Sequence, residues 1–181
     1  MKNKFQVLVA DDHSLFRESL SQLIRSFNQF DVCHESPTGQ DVLNYISTNK
    51  LDMITLDLGM PGFPDNTILK SIRKFNKTVK ILIVSMHDEL SLIKQTIRQG
   101  ADGYITKDSS TNELENALKK MASGEKYLPR GIAEKIAFQD HKSNPTNSLT
   151  TRELDILRMI AIEGLSLVEI AERLHISPKT V

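Results

Sequence analysis

The chain has 181 residues, 39% of them hydrophobic and 25% charged, enough for one medium domain with a true core or for a domain plus a small module. Its formal net charge is zero, so no global basic field argues for nucleic acid, and any such contact must rest on a local patch. The single cysteine, Cys33, excludes an intramolecular disulfide, and the apolar run before Asp11-Asp12 is too short for a signal peptide or a membrane span, which predicts a cytoplasmic protein with no membrane partner.

Strand-like and helix-like runs alternate from the N-terminus. Phe5–Ala10 is apolar at nearly every position, as a strand covered on both faces should be. Ser14 is the expected N-cap of a helix whose stripe is Leu15, Phe16, Leu20, Leu23, Ile24 and Phe27. Residues 30–35 alternate and predict a second strand nearer the sheet edge. Gly39 breaks the pattern, and Val42, Leu43, Tyr45 and Ile46 mark the second helix. Met53–Leu56 is a third strand. After the Met60-Pro61-Gly62 turn, Ile68, Leu69, Ile72 and Phe75 mark a third helix. Val79–Val84 is the fourth strand, and Leu90, Leu92, Ile93 and Ile97 mark the fourth helix, with Gly100 just past its end. The short fifth strand, Gly103–Thr106, precedes a helix carrying Leu114, Ala117, Leu118 and Met121 and stopped by Gly124. Five strands alternating with five helices predict an α/β fold, a doubly wound parallel sheet, over residues 1–126.

Residues 127–147 change character. Pro129, Gly131, Asn144, Pro145 and Asn147 punctuate them around one helical piece, Ile132–Phe138, which predicts a linker that starts partly packed. Residues 148–181 then predict a small all-α domain. Thr150 with Glu153, and Ser166 with Glu169, are capping boxes opening two successive helices. Ser177-Pro178 is a cap followed by proline at the first helical position. A helix, a short turn and a further helix form a helix-turn-helix pattern, here expected to be incomplete because Val181 falls one turn into the last helix.

The chemistry lies at the ends of the strands. Asp11-Asp12, Asp57, Ser85 and Lys107 follow four different strands, and in a doubly wound sheet those ends lie on one rim. Three clustered carboxylates repel one another unless a cation offsets them, and an all-oxygen ligand set suits Mg²⁺ rather than zinc. Aspartate can form an acyl phosphate, and a metal with a lysine would neutralise a transferring phosphoryl group. Taken singly, each of these residues reads as a solvated loop side chain; their joint placement favours a site.

The set Asp11-Asp12, Asp57 with Met60-Pro61-Gly62, Val84-Ser85, and Tyr104 with Lys107 resembles the receiver domain of two-component response regulators, a flavodoxin-like fold. Leu149-Thr150-Thr151-Arg152-Glu153, then Glu169-Ile170-Ala171, Leu174, Ile176-Ser177 and Thr180-Val181, resembles the LuxR-type helix-turn-helix. Together they look like the NarL/FixJ branch of transcription regulators. The resemblance implies that Asp57 accepts a phosphoryl group from a histidine kinase. Asp12, Asp57 and the Gly59 carbonyl would hold Mg²⁺, with Asp11 acting through water. Lys107 would hold the phosphoryl group, Ser85 would move towards it and Tyr104 would rotate inward as a switch. The face of the fourth helix, fifth strand and fifth helix would then change partner, giving a homodimer, and Lys179 and Thr180 would contact DNA. Such a receiver is no enzyme beyond its own phosphorylation and dephosphorylation.

Some positions depart from that pattern. Asp65 stands where many relatives have glycine, Phe63-Pro64 is an unusual approach to the third helix, and Leu167-Val168 replaces polar residues. From Leu149 onwards four cations, Arg152, Arg158, Arg173 and Lys179, face five acids, Glu153, Asp155, Glu163, Glu169 and Glu172, so weak DNA binding is expected of this chain. Two other readings compete: a phosphorylation-independent interaction module, and a hydrolase working through an aspartyl phosphate, which the adjacency of Asp11 and Asp12 disfavours.

Overall fold

A computed structural model describes residues 4–61, 67–141 and 167–174. In chain order the elements are β1 (Phe5–Ala10), α1 (Ser14–Ser26), β2 (Phe30–Ser36), α2 (Gly39–Thr48), β3 (Met53–Leu56), α3 (Thr67–Phe75), β4 (Lys80–Ser85), α4 (Leu90–Arg98), β5 (Gly103–Thr106), α5 (Thr111–Ala122), α6 (Arg130–His141) and a helix at Leu167–Leu174. The strands form one five-stranded sheet, ordered β2-β1-β3-β4-β5, with every pairing parallel. The expected fold is therefore present.

The near-continuous apolar character of the strands has a direct cause, since neighbouring side chains point to opposite faces and both faces are covered. Val7 and Val9 of β1, with Leu82 and Val84 of β4, pack against Leu20 and Ile24 of α1 and Leu114 and Leu118 of α5. Leu8, Ile81 and Ile83 point the other way and meet Val42 of α2, Ile72 of α3 and Ile93 of α4. Each such leucine or isoleucine contributes about 1.5–3 kcal/mol when fully buried.

Local signals explain most helix ends. The Thr38 side chain accepts from the Asp41 amide and Ser110 from the Glu113 amide, each satisfying a free N–H of the first turn. Gly100 follows α4 at φ 107 and Gly124 follows α5 at φ 92, left-handed conformations that glycine adopts without strain. Three expectations need correction. Ser14 is the first residue of α1 rather than its cap, the cap position being His13, which makes no side-chain capping bond. Leu15 is 79% exposed and Phe75 is 60% exposed, so neither belongs to the core stripe of its helix. β4 also runs one residue later than the apolar pattern suggests, ending on Ser85.

Contacts divide the chain into compact units at residues 1–136 and 137–181. In the second, the helix Leu167–Leu174 buries Ile170 and Ala171 and exposes Glu169 and Arg173, an amphipathic pattern. The expected first and third helices of that segment, and the departures at Phe63-Pro64 and Asp65, lie outside the described residues.

Candidate functional site

Register places the site. Ala10 pairs with Leu56 and Ser85 with Thr106, so the residues that follow leave the sheet level with one another. The Asp57 amide donates to Ala10 O at 2.9 Å and the Lys107 amide to Ser85 O at 2.8 Å, continuing the ladder by one bond on each side. Asp11, Asp57, Ser85 and Lys107 consequently converge at the carboxyl edge, astride β1 and β3, where the strand order reverses direction.

Asp57 is 4% exposed and Asp11 1%. The Lys107 ammonium bridges them, 2.8 Å from Asp57 Oδ2 and 2.7 Å from Asp11 Oδ2. Burial pulls the Lys107 pKa down, but the hydrogen bonds and charges of Asp11 and Asp57 outweigh it and hold the group above its ordinary value. The same ammonium lies 4.7 Å from the centroid of the Phe16 ring, within cation–π range.

Asp57 Oδ1 accepts from the Gly59 amide at 3.1 Å, which fixes the carboxylate plane. Asp11 Oδ1 accepts from the His13 amide at 2.9 Å, and Arg17 donates to the Asp11 carbonyl at 2.6 Å. Asp12 stands at the solvent side, its Oδ1 3.0 Å from His13 Nδ1. Ligand atoms of Asp11, Asp12, His13 and Asp57 all lie within 4.8 Å of one another. Three carboxylates so placed offer the hard oxygen donors that a divalent cation of the Mg²⁺ type takes.

Ser85 is buried, and its hydroxyl accepts from the His87 amide at 3.3 Å. Tyr104 is buried as well, its hydroxyl donating to His87 O at 2.8 Å. Burial raises the Tyr104 pKa, a neighbouring Ser85 hydrogen bond opposes this, and the charges of Glu89, Asp57 and Asp88 add to the rise. Tyr104 thus already points inward here.

Asp11, Asp12, Asp57, Ser85 and Lys107 are therefore brought together as the sequence suggested, with Gly59 beside them through its amide. Lys179 and Thr180 lie outside the described residues. Sequence reasoning missed His13, Phe16 and Arg17 as neighbours of the site. Phe16 carried only a helix-stripe signal, and nothing in spacing separates a core aromatic from one facing an ammonium.

Sheet order and the placement of the polar cluster define a flavodoxin-like α/β domain. Residues 7–119 match the response regulator receiver domain, and residues 147–181 match the bacterial regulatory proteins of the luxR family. The nitrate/nitrite response regulator protein homolog of Haemophilus influenzae is 36% identical over 181 residues, covering 100% of this chain and 86% of that protein. Response regulator UvrY of Escherichia coli is 32% identical over 179 residues, covering 97% and 82%. A crystal structure of a LuxR-family two-component response regulator from Aurantimonas sp. aligns with a TM-score of 0.72 at 26% identity, over 76% of this chain and 99% of that one. RcsB, solved as two dimers bound to two parallel DNAs, shares the fold at a TM-score of 0.72 and 23% identity, over 98% and 86%. The chain belongs to the two-component response regulators that join a receiver domain to a LuxR-type DNA-binding domain. Among the described residues no helix is long and apolar enough to cross a membrane.

Proposed function

We propose that Asp57 is the phosphoacceptor of this regulator, taking a phosphoryl group from the phosphohistidine of a histidine kinase and so controlling dimerisation and DNA binding in transcription. The observation that carries this is the buried Asp57 carboxylate held between the Lys107 ammonium at 2.8 Å and the Gly59 amide at 3.1 Å, beside Asp11 and Asp12. An oxygen of Asp57 attacks phosphorus, and the P–N bond to the donor imidazole breaks. Its electron pair leaves with the imidazole, which takes a proton. Lys107 exchanges its bond to Asp57 for one to a phosphoryl oxygen, and the Ser85 hydroxyl turns to another.

Asp11, Asp12, Asp57 and the Gly59 carbonyl would hold Mg²⁺. Bound there, the metal neutralises charge on the transferring group. The receiver catalyses no more than its own phosphorylation and dephosphorylation. We assign residues 1–126 to the receiver, 127–147 to a linker and 148–181 to the DNA-binding domain, with Lys179 and Thr180 as DNA contacts, and we place the protein in the cytoplasm.

Intact mass after incubation with a small phosphodonor and Mg²⁺ tests the assignment. One added phosphoryl group is expected, absent in Asp57→Asn and abolished by EDTA. Labelling that persists in Asp57→Asn, or no labelling of the native protein, would overturn it.

A further inference from the structure

Charge is spread unevenly along this electrically neutral chain. Residues 67–80 hold Lys70, Arg73, Lys74, Lys77 and Lys80, residues 90–101 hold Lys94 and Arg98, and neither stretch holds an aspartate or a glutamate. The rest of the chain is therefore net negative. Arg73 and Lys80 are committed to Asp102, at 2.7 and 3.2 Å. Asp102 is also tied to the outer edge of β5, since its carbonyl accepts from the Tyr127 amide at 3.0 Å while Tyr127 O accepts from the Tyr104 amide at 3.1 Å. Lys70, Lys74 and Arg98 are exposed and, among the described residues, pair with no carboxylate. Lys70 and Lys74 stand one turn apart on one face of α3. A groove of about 530 Å³ runs between α3 and α4, lined by Lys70, Ser91, Lys94, Gln95, Arg98 and Gln99. Cations, amides and a hydroxyl line it, with no acid and no hydrocarbon side chain among them.

We propose that the α3–α4 face of the receiver is a second contact of this protein with the DNA phosphate backbone, beside its LuxR-type domain. Phosphate oxygens take their hydrogen bonds from arginine, lysine, serine and glutamine, the residue types that line this groove. Such contacts carry no sequence information, but they supply the electrostatic part of affinity. That part is what the DNA-binding segment lacks, because from Leu149 onwards its four cations face five acids. Lys74 and Arg98, each in the last turn of a helix, also offset the helix dipole there. Lys70, in the middle of α3, has no such role. The proposal is independent of the phosphoacceptor reading, and its test uses no phosphodonor.

Fluorescence anisotropy of the full chain with a labelled random-sequence duplex, between about 50 and 200 mM salt, tests this. Each phosphate contact adds about one to the slope of log affinity against log salt. The triple variant Lys70→Glu/Lys74→Glu/Arg98→Glu should flatten that slope by about two or more and weaken binding at low salt by about tenfold or more. Lys4→Glu/Lys50→Glu/Lys120→Glu makes the same change in net charge at exposed positions elsewhere and should keep the native slope to within about one. Urea unfolding checks the fold of both triples, and Lys70→Glu alone, with a slope change of about one, is the second variant should the first triple disturb it. Unlabelled duplex should displace the label far better than poly-glutamate of matched charge. Equal slopes for the two triples, or no binding by the native chain at about 50 mM salt, would overturn the proposal. Poly-glutamate competing as well as duplex would overturn it too, by giving the face to an acidic protein instead.

Discussion

Lys107 and Asp57, fifty positions apart in sequence, meet at 2.8 Å. Asp11 shares the same ammonium at 2.7 Å. Without the lysine, two buried carboxylates face each other with no cation between them. Removing one partner of a buried ion pair typically costs about 3–5 kcal/mol. Lys107→Met is therefore expected to lose about 3 kcal/mol in urea unfolding at neutral pH without metal. Mg²⁺ should recover more stability in the variant than in the native chain, because it takes over the missing charge. An equal effect of Mg²⁺ on both would count against the shared role.

Among the groups whose pKa values are raised on folding, three lie at the site or at the β5 edge and contribute to the alkaline pH dependence. Lys107 is raised by Asp11 and Asp57 against the pull of burial, and Tyr104 by burial first. Tyr127 is raised by burial and then by the neighbouring Glu113. A raised folded pKa gives stability that is whole below the unfolded value and lost as pH rises through the folded one. The ordinary values are 10.5 for lysine and 10.0 for tyrosine, so stability from these groups should hold through neutral pH and fall above about pH 10. Tyrosine ultraviolet absorbance against pH, alongside urea unfolding, checks this; Tyr104→Phe should flatten part of the alkaline decline.

Metal binding separates Asp12 from its buried neighbour. Asp12 is partly exposed, so Asp12→Ala should cost little stability while weakening Mg²⁺ by about tenfold or more. Calorimetric titration of Mg²⁺ gives the affinity, and an unchanged affinity would remove Asp12 from the ligand set.

Arg73 makes a contrasting prediction at the opposite edge of the sheet. Its guanidinium donates to Gly100 O at 3.0 and 2.6 Å and to Asp102 Oδ2 at 2.7 Å, tying the end of α3 to the turn before β5. Asp102 also accepts from the Ile81 amide at 3.0 Å. Arg73→Met should cost about 3 kcal/mol in urea unfolding and leave phosphoryl uptake unchanged at temperatures where the chain stays folded. A Cβ at Gly100 would lie 3.0 Å from Arg73 Nε at φ 107, so Gly100→Ala should be destabilising too.

The sheet and its rim were legible because strands covered on both faces leave unbroken apolar runs, and each run here stops at a polar residue. Asp11, Asp57 and Lys107 could be placed from that punctuation alone. Leu15 was misplaced because helical spacing shows which residues share a face, not whether anything packs on that face at a given turn, and Leu15 stays exposed. Ser14 carried a strong capping signal, yet the helix starts at it, with the His13 amide bonded to Asp11 instead. Arg73, Phe16 and Tyr127 act through partners far away in sequence, and no local pattern encodes such meetings. Tyr127 in particular read as the start of a linker, although its backbone completes the edge of the sheet.

That last placement bears on how copies of the protein behave when crowded. A bare strand edge invites a foreign strand to add itself. At β5 the invitation is withdrawn by Tyr127, which takes up backbone bonding capacity there. At β2 it is discouraged differently, by ionisable side chains along the strand: Glu35 is held by Arg25 at 3.2 Å and His34 by Asp41 at 2.9 Å. One flank is blocked by the chain's own backbone and the other by charge, so the route to insoluble aggregates through strand addition is guarded on both sides.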